Sequence, residues 1–219
     1  MDIKNVKLVI FDMDGLMLDT EQCYYYGVKE MCEKKKIKVD MSVYRAVIGT
    51  SGAIDMKKFN KSNYPDDVVE KMVCQYVENR RIELCEEGVA TKKGLHKLLN
   101  TLNERKILKV VATSTPKSIA KKLLERVGIE KEFSFVISTE DVKKGKPAPD
   151  IFLLACKTAQ IPPERSLVLE DLEPGAKAAK TAGIPYIIVP DINYPRKEDA
   201  ETAEMIAESL IDVERLFAL

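Results

Sequence analysis

The chain has 219 residues, 45% of them hydrophobic, enough for one sizeable domain or for a core domain with a small insert. Its 35 Lys and Arg balance 35 Asp and Glu, so no excess of charge selects for nucleic acid or for an anionic membrane surface. No apolar run approaches the ~20 residues that span a bilayer, and the start Met1-Asp2-Ile3-Lys4-Asn5 lacks the layout of a secretory signal, which makes the cytoplasm the expected compartment.

Lys7-Leu8-Val9-Ile10-Phe11 is a short apolar run halted by Asp12-Met13-Asp14-Gly15, the pattern of a buried strand ending in a polar turn. From about Leu16 to Glu87 no strand pattern occurs, and helical segments are expected at roughly 21–35, 40–47, 52–60 and 66–84, with Asn63-Tyr64-Pro65 as punctuation. Leu95, Leu98, Leu99 and Leu102 then form the stripe that a helix lays against a sheet. Strands are expected at Leu108 to Ala112, Phe135 to Ile137, Leu167 to Leu169 and Tyr186 to Val189. Between the first two of these, Ile119, Leu123, Leu124 and Val127 predict a helix with Thr115 as N-cap, Pro116 at its first position and Gly128 at its end. Strands alternating with helices imply right-handed crossovers and a parallel sheet. The all-helical block reads as an inserted domain, residues 16–87, within a core made of 1–15 and 88–219, with Gly15 and Glu87-Gly88 as hinges. Cys23, Cys32, Cys74, Cys85 and Cys156 include no CxxC pair and stand far from the one histidine, His96, so they are expected to be structural thiols.

Four strand-end segments carry chemistry. Asp12 and Asp14 stand one residue apart just past a buried strand, where open parallel sheets bind ligands. A carboxylate attacks a phosphate dianion poorly unless cations neutralise both, and a second carboxylate can then protonate the leaving oxygen and deprotonate water. Thr113 and Ser114, before a helix, offer a hydroxyl and backbone N–H groups to a phosphate. Lys146 is presented between Gly145 and Pro147-Ala148-Pro149, a restricted backbone suited to holding a charge in place. Glu170 and Asp171 are adjacent acids at the end of another strand, and adjacent carboxylates repel unless they meet a cation such as magnesium.

In this order and placement the four segments resemble the haloacid dehalogenase superfamily, through residues 11 to 183 and including Asp171-Leu172-Glu173-Pro174-Gly175. The Gly-Leu-Met-Leu-Asp-Thr and Lys-Pro-Ala-Pro-Asp sequences look like its branch of β-phosphoglucomutases and sugar-phosphate or phosphoglycolate phosphatases. The resemblance implies a Rossmann-like α/β core with an inserted all-helical cap, the first and fourth strands adjacent so that Asp12 and Asp171 meet. It implies Asp12 as nucleophile, Asp14 as general acid/base, Thr113 with the Ser114 backbone as phosphate cradle, and Lys146 as neutralising lysine. Magnesium would be held by Asp12, the Asp14 carbonyl and Asp171, with Glu170 direct or through water.

The expected activity is a magnesium-dependent phosphatase acting on a small phosphorylated metabolite through an aspartyl-phosphate, as a monomer with no nucleic-acid or membrane partner. A phosphomutase is the alternative, and a non-catalytic phosphate-binding module a more distant one. Tyr24 takes the place of a mutase histidine and Gly52 that of a phosphate-gripping arginine, both of which count against the mutase. Leu172 stands where the family usually has serine.

Overall fold

A computed structural model of the chain describes residues 2–47, 53–195 and 197–218. Its centre is a six-stranded parallel sheet of β1 (Leu8–Phe11), β2 (Leu108–Thr113), β3 (Val136–Ser138), β4 (Ser166–Glu170), β5 (Tyr186–Ile188) and β6 (Met205–Ile206). The order is β3-β2-β1-β4-β5-β6. β1 therefore lies between β2 and β4, the point at which the strand order reverses and parallel sheets open a crevice.

Every residue of β1 is buried, which explains its unbroken apolar run: helices cover both faces of the sheet. Val9 and Phe11 face one core cluster with Leu98 and Leu102, and Leu8 and Ile10 face the other with Ile151 and Ala178. Each such side chain removed from water contributes ~1.5–3 kcal/mol. A one-residue slip of β1 would exchange its two faces, so the register is fixed. Phe11 pairs with Val111 on one side and Leu169 on the other. The residues that follow, Asp12 and Glu170, consequently emerge at one level of the sheet.

Between β1 and β2 lie helices α1 (Thr20–Lys34), α2 (Met41–Arg45), α3 (Met56–Phe59), α4 (Asp66–Glu87) and α5 (Leu95–Glu104). α1 to α4 match the expected all-helical stretch, although α2 and α3 are shorter than their apolar patterns suggest. The first core cluster continues into them through Val28, Phe59 and Val73. The two chain segments that connect them to the sheet run side by side, with Asp19 N–H donating to Ala90 O at 3.0 Å and Lys92 N–H to Met17 O at 2.8 Å. Further on, Arg45 donates through Nε to Asn193 Oδ1 at 3.0 Å and through Nη2 to Ile192 O, and Asn193 Nδ2 returns a bond to Arg45 O at 2.8 Å. No described helix is long and apolar enough to cross a membrane.

The remaining helices are α6 (Lys117–Arg126), α7 (Asp150–Ala159), α8 (Glu173–Thr181), α9 (Lys197–Ala200) and α10 (Leu210–Ala218). One local expectation fails. Pro116, not Thr115, is the N-cap of α6, and no side chain caps it. Thr115 is buried, and its hydroxyl is engaged elsewhere. Among the cysteines, Cys74 departs from a buried structural role, being exposed on α4.

Candidate active site

The chain leaves β1 in a tight turn closed by Met17 N–H to Met13 O at 3.0 Å and Gly15 N–H to Leu18 O at 2.9 Å. Gly15 adopts φ +79°, and a Cβ there would stand 2.2 Å from Asp171 Oδ2. Position 15 thus needs glycine both for its left-handed backbone and for the approach of that carboxylate. The turn delivers Asp12 and Asp14 to the crevice, with Asp12 N–H donating to Leu169 O at 3.0 Å.

Lys146 reaches the same point from the loop before α7 and is 5% exposed. Its ammonium donates to Asp12 Oδ1, to Glu170 Oε1 at 2.6 Å and to Ala112 O at 3.0 Å. Phe152 lies beneath it, ring centroid 5.1 Å from Nζ. Burial alone would lower the lysine's pKa, but the carboxylates of Asp12 and Glu170 outweigh it and hold the ammonium raised. The lysine is thus a fixed positive charge.

One lysine does not balance the acids around it. Oxygens of Asp12, Glu170 and Asp171 lie within 4.8 Å of one another, all three residues buried. Burial pushes Asp12 up to about 8; Lys146 opposes this, and Glu170 and Asp14 add to it. Burial, with the charge of Glu21 next in weight, holds Asp171 well above the usual carboxylate range.

The three acids differ in their bonding. Glu170 Oε2 accepts from the N–H groups of Asp171 at 3.1 Å and Leu172 at 3.4 Å, and Oε1 is taken by Lys146. Asp171 Oδ2 is buried without a hydrogen-bond partner among the described residues. A hard, all-oxygen donor set with surplus negative charge and one orphaned carboxylate oxygen fits magnesium, which takes one or two carboxylates and keeps waters. Leu172, in place of the family's serine, lends its backbone N–H to Glu170 rather than a side chain.

Asp14 is held from two sides: Oδ1 accepts from Thr20 Oγ1 at 2.6 Å, Oδ2 from Thr115 Oγ1 at 2.7 Å and more weakly from Thr113 Oγ1 at 3.4 Å. Thr113 Oγ1 accepts in turn from Thr115 N–H at 3.0 Å. Ser114 lines the cavity, and its carbonyl accepts from Thr139 at 3.2 Å. All seven candidate residues, Asp12, Asp14, Thr113, Ser114, Lys146, Glu170 and Asp171, border a single cavity of about 670 Å³ between the sheet edge and the helical insertion. Glu21, Tyr24 and Arg81 border it from α1 and α4. Of these three only Tyr24 stands out in the sequence, at the place of a mutase histidine; nothing local marks Glu21 or Arg81. Gly52, which stands in the place of the mutase's phosphate-gripping arginine, lies outside the described residues.

Comparison with known proteins agrees with this architecture. The profile of the haloacid dehalogenase-like hydrolases matches residues 9–189. A phosphorylated carbohydrates phosphatase of Thermotoga maritima is 30% identical over 83% of this chain and 84% of its own. A β-phosphoglucomutase of Bacillus subtilis is 28% identical over 82% of this chain and 81% of its own. The crystal structure of CbbY from Rhodobacter sphaeroides in complex with phosphate superposes with a TM-score of 0.73 at 25% identity, covering 98% of this chain and 100% of that one. The chain belongs to the haloacid dehalogenase-like hydrolase family and is an enzyme of phosphatase type.

Proposed function

We propose that the protein is a magnesium-dependent phosphatase that hydrolyses a small phosphorylated sugar or similar metabolite through an aspartyl-phosphate on Asp12. The observation that carries this reading is the buried ion pair of Asp12 with Lys146 beside the unsatisfied Asp171 oxygen. Asp12, the Asp14 carbonyl and Asp171 would hold the metal, with Glu170 supporting it through water, since both Glu170 oxygens are already engaged. Bound there, magnesium supplies positive charge that offsets repulsion between carboxylate and phosphate dianion.

An Asp12 oxygen attacks phosphorus as the ester oxygen departs, and Asp14 gives that oxygen its proton. Asp14 then takes a proton from the water that attacks phosphorus, releasing phosphate and restoring the Asp12 carboxylate. Lys146 keeps Asp12 oriented and offsets charge on the transferring group. The Thr113 hydroxyl and the Ser114 N–H cradle its remaining oxygens. Residues 16–87 serve as a cap hinged at Gly15 and Glu87-Gly88; closing it excludes bulk water and selects the leaving group.

Hydrolysis of p-nitrophenyl phosphate tests the reading: turnover is expected with magnesium and none with EDTA, and inertness under both conditions would sink it. The mutase relative supports a second reading, which Tyr24 in place of histidine weakens. Incubation with β-glucose 1-phosphate and a trace of bisphosphate decides between them. Isomerisation outrunning phosphate release would favour the mutase.

A further inference from the structure

The turn that follows β3, Thr139–Asp141, takes no part in the chemistry described above, yet all three of its residues hold the segment 114–117 that follows β2. The turn is itself braced: Ser138 Oγ accepts from Glu140 N–H at 3.2 Å, and Ser138 N–H donates to Asp141 Oδ2 at 2.9 Å. From it Thr139 Oγ1 donates to Ser114 O at 3.2 Å, and Glu140 Oε2 accepts from Lys117 N–H at 2.8 Å. Both carboxylate oxygens of Asp141 accept from Lys117 Nζ at 2.9 Å. On its other side Thr139 lies against the backbone just before Lys146, since a Cβ on Gly145 would stand 3.1 Å from Thr139 Cγ2. Half-buried at the border of the cavity, Thr139 thus stands between the two loops assigned to the phosphoryl group.

The peptide unit that Thr139 holds by its carbonyl also carries the Thr115 N–H, which donates to Thr113 Oγ1 at 3.0 Å. With that acceptor direction of Thr113 taken, its proton is turned away from Thr115 and reaches Asp14 Oδ2 at 3.4 Å. Donation therefore runs in one sense, from Thr139 through the peptide to Thr113 and on to Asp14, and each bond polarises the next. The last bond is long for a hydroxyl donor, so a phosphate oxygen can take that proton over. Few other donors are left to the cradle. Pro116 has no N–H, Thr115 spends its own on Thr113, and Lys117 spends its own on Glu140. The Ser114 N–H and the Thr113 hydroxyl remain, and the direction of the second is set by the Ser114–Thr115 peptide.

We propose that Thr139 is a positioning residue for phosphoryl transfer, fixing the Ser114–Thr115 peptide so that Thr113 meets the transferring group as a hydrogen-bond donor. This rests on the phosphatase reading above. Without the Thr139 hydroxyl the peptide is free to tilt and the Thr115 N–H to leave Thr113 Oγ1. The Thr113 hydroxyl then turns lone pairs as readily as its proton towards the phosphate, and lone pairs repel an anion.

The test measures p-nitrophenyl phosphate turnover by the wild type, by Thr139→Val, Thr139→Ala, Thr139→Ser and Thr113→Val, and by Thr113→Val combined with Thr139→Val, with circular dichroism to confirm folding. Thr139→Val keeps the shape and removes the donor; kcat should fall about tenfold, as expected of a misdirected contact to the reacting group. Thr139→Ala also lacks the hydroxyl and should fall alike, whereas Thr139→Ser keeps it and should recover most of the rate. In the Thr113→Val background no hydroxyl remains to be aimed, so adding Thr139→Val should cost less than about twofold. A merely structural contact would cost the same factor in both backgrounds, and that result overturns the proposal. Equal losses in the Val and Ser variants, or a wild-type rate in Thr139→Val, overturn it as well. A wild type inert towards p-nitrophenyl phosphate with magnesium would mark failure of the phosphatase reading itself, and the proposal would fall with it.

Discussion

The hydroxyl of Thr115 donates to Oδ2 of Asp14 at 2.7 Å, and on the opposite side the hydroxyl of Thr20 donates to Oδ1 at 2.6 Å. Two threonines from different parts of the chain thus hold the carboxyl assigned to proton transfer. Thr115→Val keeps the shape and removes one of the two bonds. We expect it to lower kcat by ~10–100-fold, the usual cost of losing a partner that orients a reactive group, while Thr115→Ser restores most of the rate. Equal losses in Val and Ser, or none in Val, would show that the hydroxyl does not matter to Asp14.

Asp12→Asn removes the attacking oxygen with little change in volume and should abolish turnover while the fold persists. Measured by phosphate release and circular dichroism, residual activity within about tenfold of wild type, only ~1.4 kcal/mol of barrier, would take Asp12 out of the nucleophile's role.

Surplus negative charge makes a thermodynamic prediction. Asp12, Glu21 and Asp171 all have carboxyl pKa values raised above those of the unfolded chain, burial being the first cause in each. The folded state therefore holds protons that the unfolded chain has released. Metal-free stability should be greatest below the unfolded values, 3.8 for Asp and 4.5 for Glu, and should fall as pH rises towards the folded value of about 8 for Asp12. Magnesium substitutes for those protons, so it should raise Tm more at pH 8 than at pH 5. At a hundredfold excess over Kd the gain is about 2.7 kcal/mol, or ~5–10 °C for a domain of this size. A shift that is equal at both pH values, or larger at pH 5, refutes the account.

The site is also crowded where backbone meets carboxylate. A Cβ on Gly175, in the first turn of α8, would stand 1.7 Å from Glu170 Oε1, the oxygen that accepts from Lys146. Gly175→Ala must displace Glu170 and loosen Lys146. The expected outcome is an activity loss of ~10–100-fold with the magnesium requirement raised; wild-type kinetics would show that Glu170 can move without cost.

Much of this was legible in the sequence for a physical reason. Strands buried on both faces read as unbroken apolar runs, and each of Asp12, Thr113 and Glu170 stands at the end of one. What escaped depends on tertiary contact. Thr115 before Pro116 carries the same local signal as a helix cap, and only the approach of Asp14 separates the two roles. Glu21 looks like any acid in a helix's first turn, and Arg81 like one charge among many on α4. β6 has two half-buried residues and no periodicity of its own.

The reciprocal bonds between Arg45 and Asn193 join α2 to the loop after β5, 148 residues apart. With the Arg45 contact to Ile192 O they tie α2 to the core. Hydrogen bonds of this kind contribute ~0.5–1.5 kcal/mol each, together enough to bias the proposed cap between open and closed positions without locking it. Arg45→Ala removes the guanidinium and both of its bonds. Sugar-phosphate KM should rise about tenfold, the effect of ~1.4 kcal/mol lost from closure, with kcat changed far less because no reacting atom is touched. Hydrogen exchange in segments 41–47 and 191–195 should quicken together in the variant. Quickening in one segment alone, or a fall in kcat with KM unchanged, would mean that the contact does not govern closure.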